Sequence, residues 1–165
     1  MDSKNPSDLF FNDSWSLYFH DPDNNNWDID SYISIATIST IEEWIQVYTQ
    51  IKDFWNRGMF FLMREHIQPI WEDENNCNGG CISIKIWKNE AAENFFELTS
   101  KMLGETLLND IENWESICGI SISPKRNYCI IRIWINEGMF SNMDLYNYTI
   151  PNYSKVMYKP HIENI

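Results

Sequence analysis

The chain has few positive charges and no long apolar run. Its 165 residues include 12 Lys and Arg against 24 Asp and Glu, which gives a formal net charge of −12. A protein that binds nucleic acid regardless of sequence relies on many Lys and Arg contacts to phosphate, so this net charge argues against that class. Any nucleic-acid ligand must be small and specifically held. No apolar run approaches the ~18 residues that span a membrane.

Signals for export and for disulfide bonding are also scarce. Residues 1–8 lack the basic start and apolar stretch of a signal peptide, so we expect a cytoplasmic protein with no membrane association. The cysteines are then expected to be reduced thiols. Zinc binding at Cys77 and Cys81 is only weakly indicated, because Cys118 and Cys129 lie in apolar segments where free cysteine packs as a small hydrophobe. We expect no metal and no cofactor.

Patterns typical of catalysis are missing. The histidines, at positions 20, 66 and 161, are scattered along the chain, and no Gly-rich phosphate loop is present. We therefore expect a binding protein rather than an enzyme.

Tryptophan, by contrast, is abundant. Eight tryptophans exceed what a core of this size usually uses, although core packing is the commonest role for any one of them. Trp71 is followed by Glu72 in a run that leads to the paired glycines Gly79 and Gly80. A flat ring beside a carboxylate can stack on a base and accept two parallel hydrogen bonds from the edge of that base. Trp27, which ends a loop of asparagines, is the predicted second stacking wall.

Three of the few basic residues lie close together, at Lys125, Arg126 and Arg132. Their local field could favour an anion. A solvated hairpin tip is the alternative for this cluster.

Hydrophobic periodicity predicts seven strands and two substantial helices. The first helix is expected over residues 40–52, beginning with a capping box in which Thr40 and Glu43 satisfy backbone donors. The second is expected over residues 90–108, and a short helical piece near residues 139–146. The predicted strands are 15–19, 32–37, 59–63, 81–87, 117–123, 128–134 and 153–158.

This order of elements predicts an α+β fold, with a curved, mostly antiparallel sheet and helices packed on its convex face. The concave side is left for a ligand slot. Residues 1–11 are predicted to form a flexible N-terminal tail and residues 12–165 a single domain.

Several segments, in order, resemble the mRNA cap-binding translation initiation factor 4E family. The strongest is IQPIWEDENNCNGG at residues 67–80, and the others include WSLYF at 15–19, TIEEWIQVY at 40–48, LGE at 103–105 and IRIW at 131–134. The resemblance runs from about Trp15 to His161. It implies a protein that binds the 7-methylguanosine 5′ cap of mRNA and recruits the mRNA for translation initiation.

The resemblance also implies roles for individual residues. Trp27 and Trp71 would sandwich the methylated base, whose positive charge strengthens stacking on indole faces. Glu72 would accept hydrogen bonds from the guanine edge, and Trp134 would contact the added methyl group. Core packing is the alternative role for Trp134.

The phosphate end departs from the family pattern. The usual basic positions fall on Lys125, Asn127 and Ile130, so only the first keeps its charge, and a further basic position is Cys81 here. Arg126 and Arg132 are the predicted substitutes. With fewer cations, a triphosphate should bind more weakly or depend more on the methyl group.

The resemblance further implies a partner, a scaffold initiation factor 4G or a competing repressor, which would lay a helix on the convex face of an otherwise monomeric protein. The family's anchoring tryptophan is Ile45 in this sequence, with Trp44 one position earlier. Because successive helical residues differ by about 100° in direction, Trp44 cannot simply replace the anchor. The predicted docking residues are Ile41, Ile45, Phe96 and Glu97.

Two other functions remain open from the sequence. The altered docking position favours a cap-binding repressor or storage form with weakened scaffold binding. The loss of basic positions favours a protein-interaction module whose cap pocket has decayed. The C-terminal loop that in the family reaches past the guanine is absent, so recognition of the second nucleotide should be reduced.

Overall fold

The computed structural model describes residues 9–162, so most of the predicted N-terminal tail lies outside the described part of the chain. Within that range, seven strands form a single sheet. They are β1 (Phe10–His20), β2 (Ile33–Thr40), β3 (Met59–Arg64), β4 (Gly80–Trp87), β5 (Ile117–Pro124), β6 (Tyr128–Ile135) and β7 (Val156–Pro160). The helices are α1 (Ile41–Ile51) and α2 (Lys88–Leu103), accompanied by several short 3-10 turns.

The strand order across the sheet is β2, β1, β3, β5, β6, β4, β7, and every neighbouring pair is antiparallel. The predicted α+β fold with a curved antiparallel sheet is confirmed. Strand β1 begins at Phe10, inside the stretch predicted as tail, because its first residue pairs with Thr40 at the end of β2.

Alternating side chains divide the sheet into two faces. On one face, isoleucines at every second position of β4 and β6 are fully buried against the helices, together with Phe95 and Leu98 of α2. Each fully buried isoleucine contributes about 1.5–3 kcal/mol of hydrophobic stabilisation. The helices therefore cover this convex face, as the sequence predicted.

The helix boundaries follow from local chemistry. The Thr40 hydroxyl accepts a hydrogen bond from the Glu43 N–H at 3.2 Å, which confirms the predicted start of α1. The Glu43 carboxylate, however, accepts from the Thr40 hydroxyl rather than from a backbone donor. Helix α2 ends at Leu103, short of the predicted residue 108, because Gly104 caps it and Glu105 turns the chain at a φ of 58°.

Glu105 has a second role beside the end of β3. Its carboxylate accepts two hydrogen bonds, at 2.7 and 2.9 Å, from the buried guanidinium of Arg64. Asp13 also pairs with Arg64, whose guanidinium lies between the rings of Trp15 and Trp114. This network ties β1 and β3 to the segment after α2.

The concave face carries a much smaller apolar cluster. It contains the side chains of Phe61, Met63, Ile67, Cys81, Cys118 and Trp134. The loops that follow β1 and β3 meet the sheet beside this cluster, and they carry Trp27 and Trp71. Among the residues described, no helix is long and apolar enough to cross a membrane.

Candidate ligand-binding site

The loop after β1 presents Trp27, and its own polar side chains hold its shape. Asp21, Asn24 and Asn26 each accept a hydrogen bond at 2.9 Å from the backbone N–H two residues later. Such local bonds are the reason that Asp and Asn favour turns. The loop therefore presents the Trp27 indole half-exposed, at 49%.

The ring of His20 lies directly under this indole. The two rings are stacked, with centroids 4.1 Å apart and planes inclined by 7°. His20 is fully buried at the end of β1, and its Nε2 lies 2.7 Å from the carbonyl oxygen of Asn26. Because a carbonyl only accepts, Nε2 is the protonated, donating nitrogen in this contact. His20 thus supports one face of Trp27 and also fastens the loop.

The loop between β3 and β4 presents Trp71, which is 48% exposed. Asp73 and Asn76 form its internal scaffold. The Asp73 carboxylate accepts from the backbone N–H groups of Gln68 and Asn75 at 2.9 and 2.8 Å. The fully buried Asn76 amide donates to the carbonyls of Gln68 and Ile70 at 3.0 and 2.8 Å. Of the acidic residues in this loop, Asp73 is therefore occupied in holding the backbone, while Glu72 is exposed.

The glycine at position 79 is required by close packing. A Cβ atom there would overlap the backbone carbonyl oxygen of Ile135 in β6. The loop can return into β4 along this path only without a side chain.

A continuous series of ring contacts joins the two ends of the site. Trp27 stacks on His20, whose ring lies 4.8 Å from that of Tyr32. Tyr32 meets Phe61 edge-on at 5.2 Å, and Phe61 meets Trp134 edge-on at 6.2 Å. These rings form an aromatic floor from the β1 loop to the C-terminal end of β6.

Trp134 is largely covered, at 7% exposure, and its indole N–H donates to the Ser121 hydroxyl at 3.0 Å. His161 lies against it with ring centroids 5.2 Å apart. Trp134 therefore packs within the concave cluster, which was the alternative role considered for it, and it also borders the site beside His161.

Glu72 influences two members of this group electrostatically. Burial, and secondarily the Glu72 carboxylate, raises the pKa of Tyr32 to about 12. Burial lowers the pKa of His161, and the Glu72 carboxylate partly opposes that shift. Glu72 thus lies close enough to influence Tyr32, which contacts His20, and His161, which contacts Trp134. Trp71, its neighbour in the chain, makes no ring contact with another aromatic residue of the 9–162 range.

The predicted phosphate residues are not equivalent. Arg132 lies two residues before Trp134 on the same strand face, about 7 Å away along β6. Lys125 and Arg126 lie at the exposed tip of the β5 to β6 hairpin, about 20 Å or more from Trp134 along the strand. Arg132 is therefore the nearest of the three to the aromatic floor. Cys81, which faces Trp134 across the ladder, adds no charge because burial raises the pKa of its thiol to about 12.

The predicted docking residues lie together on the convex side. Ile41 and Ile45 are exposed one turn apart on α1, while Trp44 is buried between the helices and donates from its indole to the Ser100 hydroxyl at 3.2 Å. Phe96 packs against Trp44, with ring centroids 6.2 Å apart. Glu97 is half-exposed and pairs with Lys101 at 3.6 Å. Trp44 is thus a packing residue and presents no ring to a partner.

Sequence reasoning missed two residues of the site. His20 and His161, considered scattered, both lie against its tryptophans. The alternation of side chains in β1, continued by one residue, would have located His20 at the end of the strand. No neighbouring residue in the sequence, however, indicates that its ring lies under Trp27. His161 is distant in sequence from every other member of the group and is brought there by β7.

Comparison with known proteins gives a consistent result. The family model described as Eukaryotic initiation factor 4E matches residues 10–162. The eukaryotic translation initiation factor 4E homolog of Acanthamoeba polyphaga mimivirus is 28% identical over 131 residues, covering 66% of this chain and 48% of the relative. The eukaryotic translation initiation factor 4E-1 of Caenorhabditis elegans is 28% identical over 129 residues, covering 73% and 58%. The chain thus spans about half the length of these curated relatives.

Solved structures share the fold. Caenorhabditis elegans eIF4E-3, in complex with the 4E-binding protein Mextli and a cap analog, superposes with a TM-score of 0.78 at 21% identity over 94% of both chains. Ascaris suum eIF4E-3 in complex with an m7G cap superposes with a TM-score of 0.70 at 25% identity, covering 84% of this chain and 79% of that one.

Proposed function

Because the chain belongs to the eukaryotic initiation factor 4E family, we propose that it binds the 7-methylguanosine 5′ cap of mRNA and recruits the mRNA for translation initiation. One observation carries the proposal. The row of ring contacts from Trp27 to Trp134 includes Tyr32 and adjoins His161, and the charge of the Glu72 carboxylate acts on both of those groups. Aromatic faces and one carboxylate are the groups that a methylated guanine requires.

The base would be held by stacking and by charge. Methylation makes the guanine cationic, which favours contact with electron-rich indole faces. Trp27 and Trp71, each half-exposed on its loop, would supply those faces. Glu72 would accept two hydrogen bonds from the guanine edge, and its negative charge strengthens both. Trp134 and the adjacent His161 would contact the methyl group.

The phosphates would leave the base along β6. Arg132 is close enough to take the first of them, and Lys125 and Arg126 would act further along at the hairpin tip. Arginine suits this role because its planar guanidinium can donate two parallel hydrogen bonds to one phosphate. Binding is a non-enzymatic function and takes place in the cytoplasm.

Tryptophan fluorescence tests the base site directly. Stacking of 7-methyl-GTP between two indoles should quench emission strongly, and unmethylated GTP should quench it far less. Glu72→Gln should weaken 7-methyl-GTP binding by about ten-fold or more, because hydrogen bonds to a charged group contribute about 1.5–3 kcal/mol. Glu74→Gln is the matched control, since it removes an exposed carboxylate from the same loop. Absence of quenching by 7-methyl-GTP, or equal effects of the two substitutions, would refute the proposal.

The convex face would bind the helix of a scaffold initiation factor 4G or of a repressor. Ile41 and Ile45 would provide the apolar contact, with Phe96 and Glu97 beside them. Ile45→Asp should abolish capture of a scaffold-derived helical peptide and leave 7-methyl-GTP binding intact. Gln46→Asp, an equally charged change at the next exposed position of α1, is the control.

A second role is supported by the same helix. Because the buried Trp44 offers no ring to a partner, scaffold affinity should be lower than that of a protein with an exposed tryptophan anchor. A cap-binding protein with a weak scaffold site would act as a repressor or storage form. Full retention on cap resin without co-retention of the scaffold would favour that role.

A further inference from the structure

The concave face beyond the proposed cap site has an unusual charge distribution. The strands β4, β5, β6 and β7 contain no Asp or Glu, although acids outnumber bases two to one in the whole chain. Their charged residues are all basic, at Lys85, Arg132 and Lys159. The strands of this half of the sheet thus carry only positive charges, although Glu90 lies nearby, where it accepts a hydrogen bond from Tyr153.

The strand register puts these cations on one face. Cys81 lies opposite Trp134 on β6 and opposite Lys159 on β7, so those three side chains project to the same side. Since side chains alternate along a strand, Lys85 and Arg132 project to that side as well. The reverse side of the same strands holds the buried isoleucines. All three cations therefore share the concave face with the proposed methyl contact.

Aromatic rings follow the cations along this face. The Lys85 ammonium lies 4.3 Å from the ring centroid of Tyr128 and 5.7 Å from that of Trp87. Trp87 is 41% exposed, and its ring also lies 4.9 Å from that of Tyr153. Within residues 9–162, Lys85 has no acidic group at ion-pair distance. Its charge is held by rings, and it remains available to an anion.

Along β6 and β4, starting from Trp134, two cationic side chains come first and two aromatic rings follow. Arg132 comes first, Lys85 lies opposite Ile130 one step further, and Tyr128 and Trp87 lie opposite each other at the end. The distance from Trp134 to Tyr128 along β6 is about 20 Å. Cations that follow a phosphate backbone and rings on which bases stack are the two elements of single-stranded nucleic-acid sites.

We propose that the concave face of β4 and β6 binds the RNA nucleotides that follow the cap, with Lys85 contacting a backbone phosphate and Trp87 stacking on a base. This inference rests on the proposed cap function, which fixes where the RNA enters. The continuity of the face with the cap site favours RNA over other anions. The specific cap site positions the RNA, and the contacts of Lys85 and Trp87 then add affinity for the first nucleotides whatever their bases are.

The experiment compares 7-methyl-GTP with a short capped oligoadenylate in fluorescence titrations at several salt concentrations. The wild-type protein should bind the capped oligonucleotide at least about five-fold more tightly than 7-methyl-GTP, the gain expected from stacking one base. Trp87→Leu should remove most of that gain. Lys85→Gln should reduce the slope of log affinity against log salt by about 0.7, the value for one phosphate contact in a single strand.

The controls separate this site from the cap site. Lys52→Gln removes one exposed lysine at the end of α1, on the other side of the sheet, and should leave both affinities unchanged. Trp87→Leu should likewise leave 7-methyl-GTP binding unchanged, because that ligand has no second base to stack on Trp87. This inference is wrong and the cap function stands if 7-methyl-GTP binds but the capped oligonucleotide binds no more tightly. The same holds if the higher affinity for the oligonucleotide survives both Trp87→Leu and Lys85→Gln. If 7-methyl-GTP does not bind, the cap function fails and this inference fails with it.

Discussion

The contact between His20 and Trp27 leads to the sharpest prediction about the proposed cap site. Trp27 is on a loop, and a mobile indole would lose rotamer freedom on stacking against a base. His20 removes much of that freedom beforehand, because it stacks on the indole at 4.1 Å and holds the loop carbonyl of Asn26 at 2.7 Å. We therefore expect His20 to act as a positioning residue. It supports one face of the Trp27 indole, and the base would stack on the other face.

The size of the effect can be worked out from these contacts. A stacked aromatic pair contributes about 0.5–1.5 kcal/mol beyond area burial, and a hydrogen bond about 0.5–1.5 kcal/mol. His20→Ala should therefore lower the free energy of unfolding by about 1–3 kcal/mol, before any cavity cost. Immobilising one side chain on binding costs about 0.5–1.5 kcal/mol, so affinity for 7-methyl-GTP should fall by about two- to thirteen-fold.

The assay is a fluorescence titration with 7-methyl-GTP, beside urea denaturation of the same samples. His20→Phe keeps the ring but loses the hydrogen bond, so it should recover most of the affinity and only part of the stability. In a Trp27→Ala background, His20→Ala should cause no further loss of affinity, because its effect acts through that indole. An unchanged affinity in folded His20→Ala, or an equal loss in the Trp27→Ala background, would refute the positioning role.

Three other perturbations test the loop and the floor of the site. Gly79→Ala should lower the free energy of unfolding by about 3 kcal/mol or more, measured by urea denaturation, because the new Cβ overlaps the Ile135 carbonyl. Asn76→Ala should cost about 2 kcal/mol and weaken quenching by 7-methyl-GTP, because two loop carbonyls lose their buried donor; unchanged stability would contradict the scaffold role. Burial lowers the pKa of His161, so the unfolded chain takes up that proton first as pH falls below 6.5. Wild-type stability should then fall more steeply from pH 6.5 to 5 than that of His161→Gln, and parallel profiles would contradict this.

Local patterns in the sequence were enough to predict most of the fold. Alternating isoleucines predict β4 and β6, and the Thr40 hydroxyl caps α1 as its position predicted, because both depend on residues close in the chain. The end of α2 was wrong by several residues. Glu105 leaves the helix where its carboxylate meets Arg64, a residue from a different strand that periodicity does not register. The assignments of Trp27, Trp71 and Glu72 to the base stay predictions until a ligand is measured.

The sequence by itself determined which residue types could recognise a methylated base, because the carboxylate and its neighbouring ring are adjacent in the chain. Only the tertiary structure decided what supports them. His20 ends the first strand and His161 directly follows the last one, and they reach the tryptophans because the antiparallel order of the sheet and its loops bring distant segments together. The positive concave face has the same origin. Lys85, Arg132 and Lys159 are far apart in sequence, and the register of three strands puts them on one side.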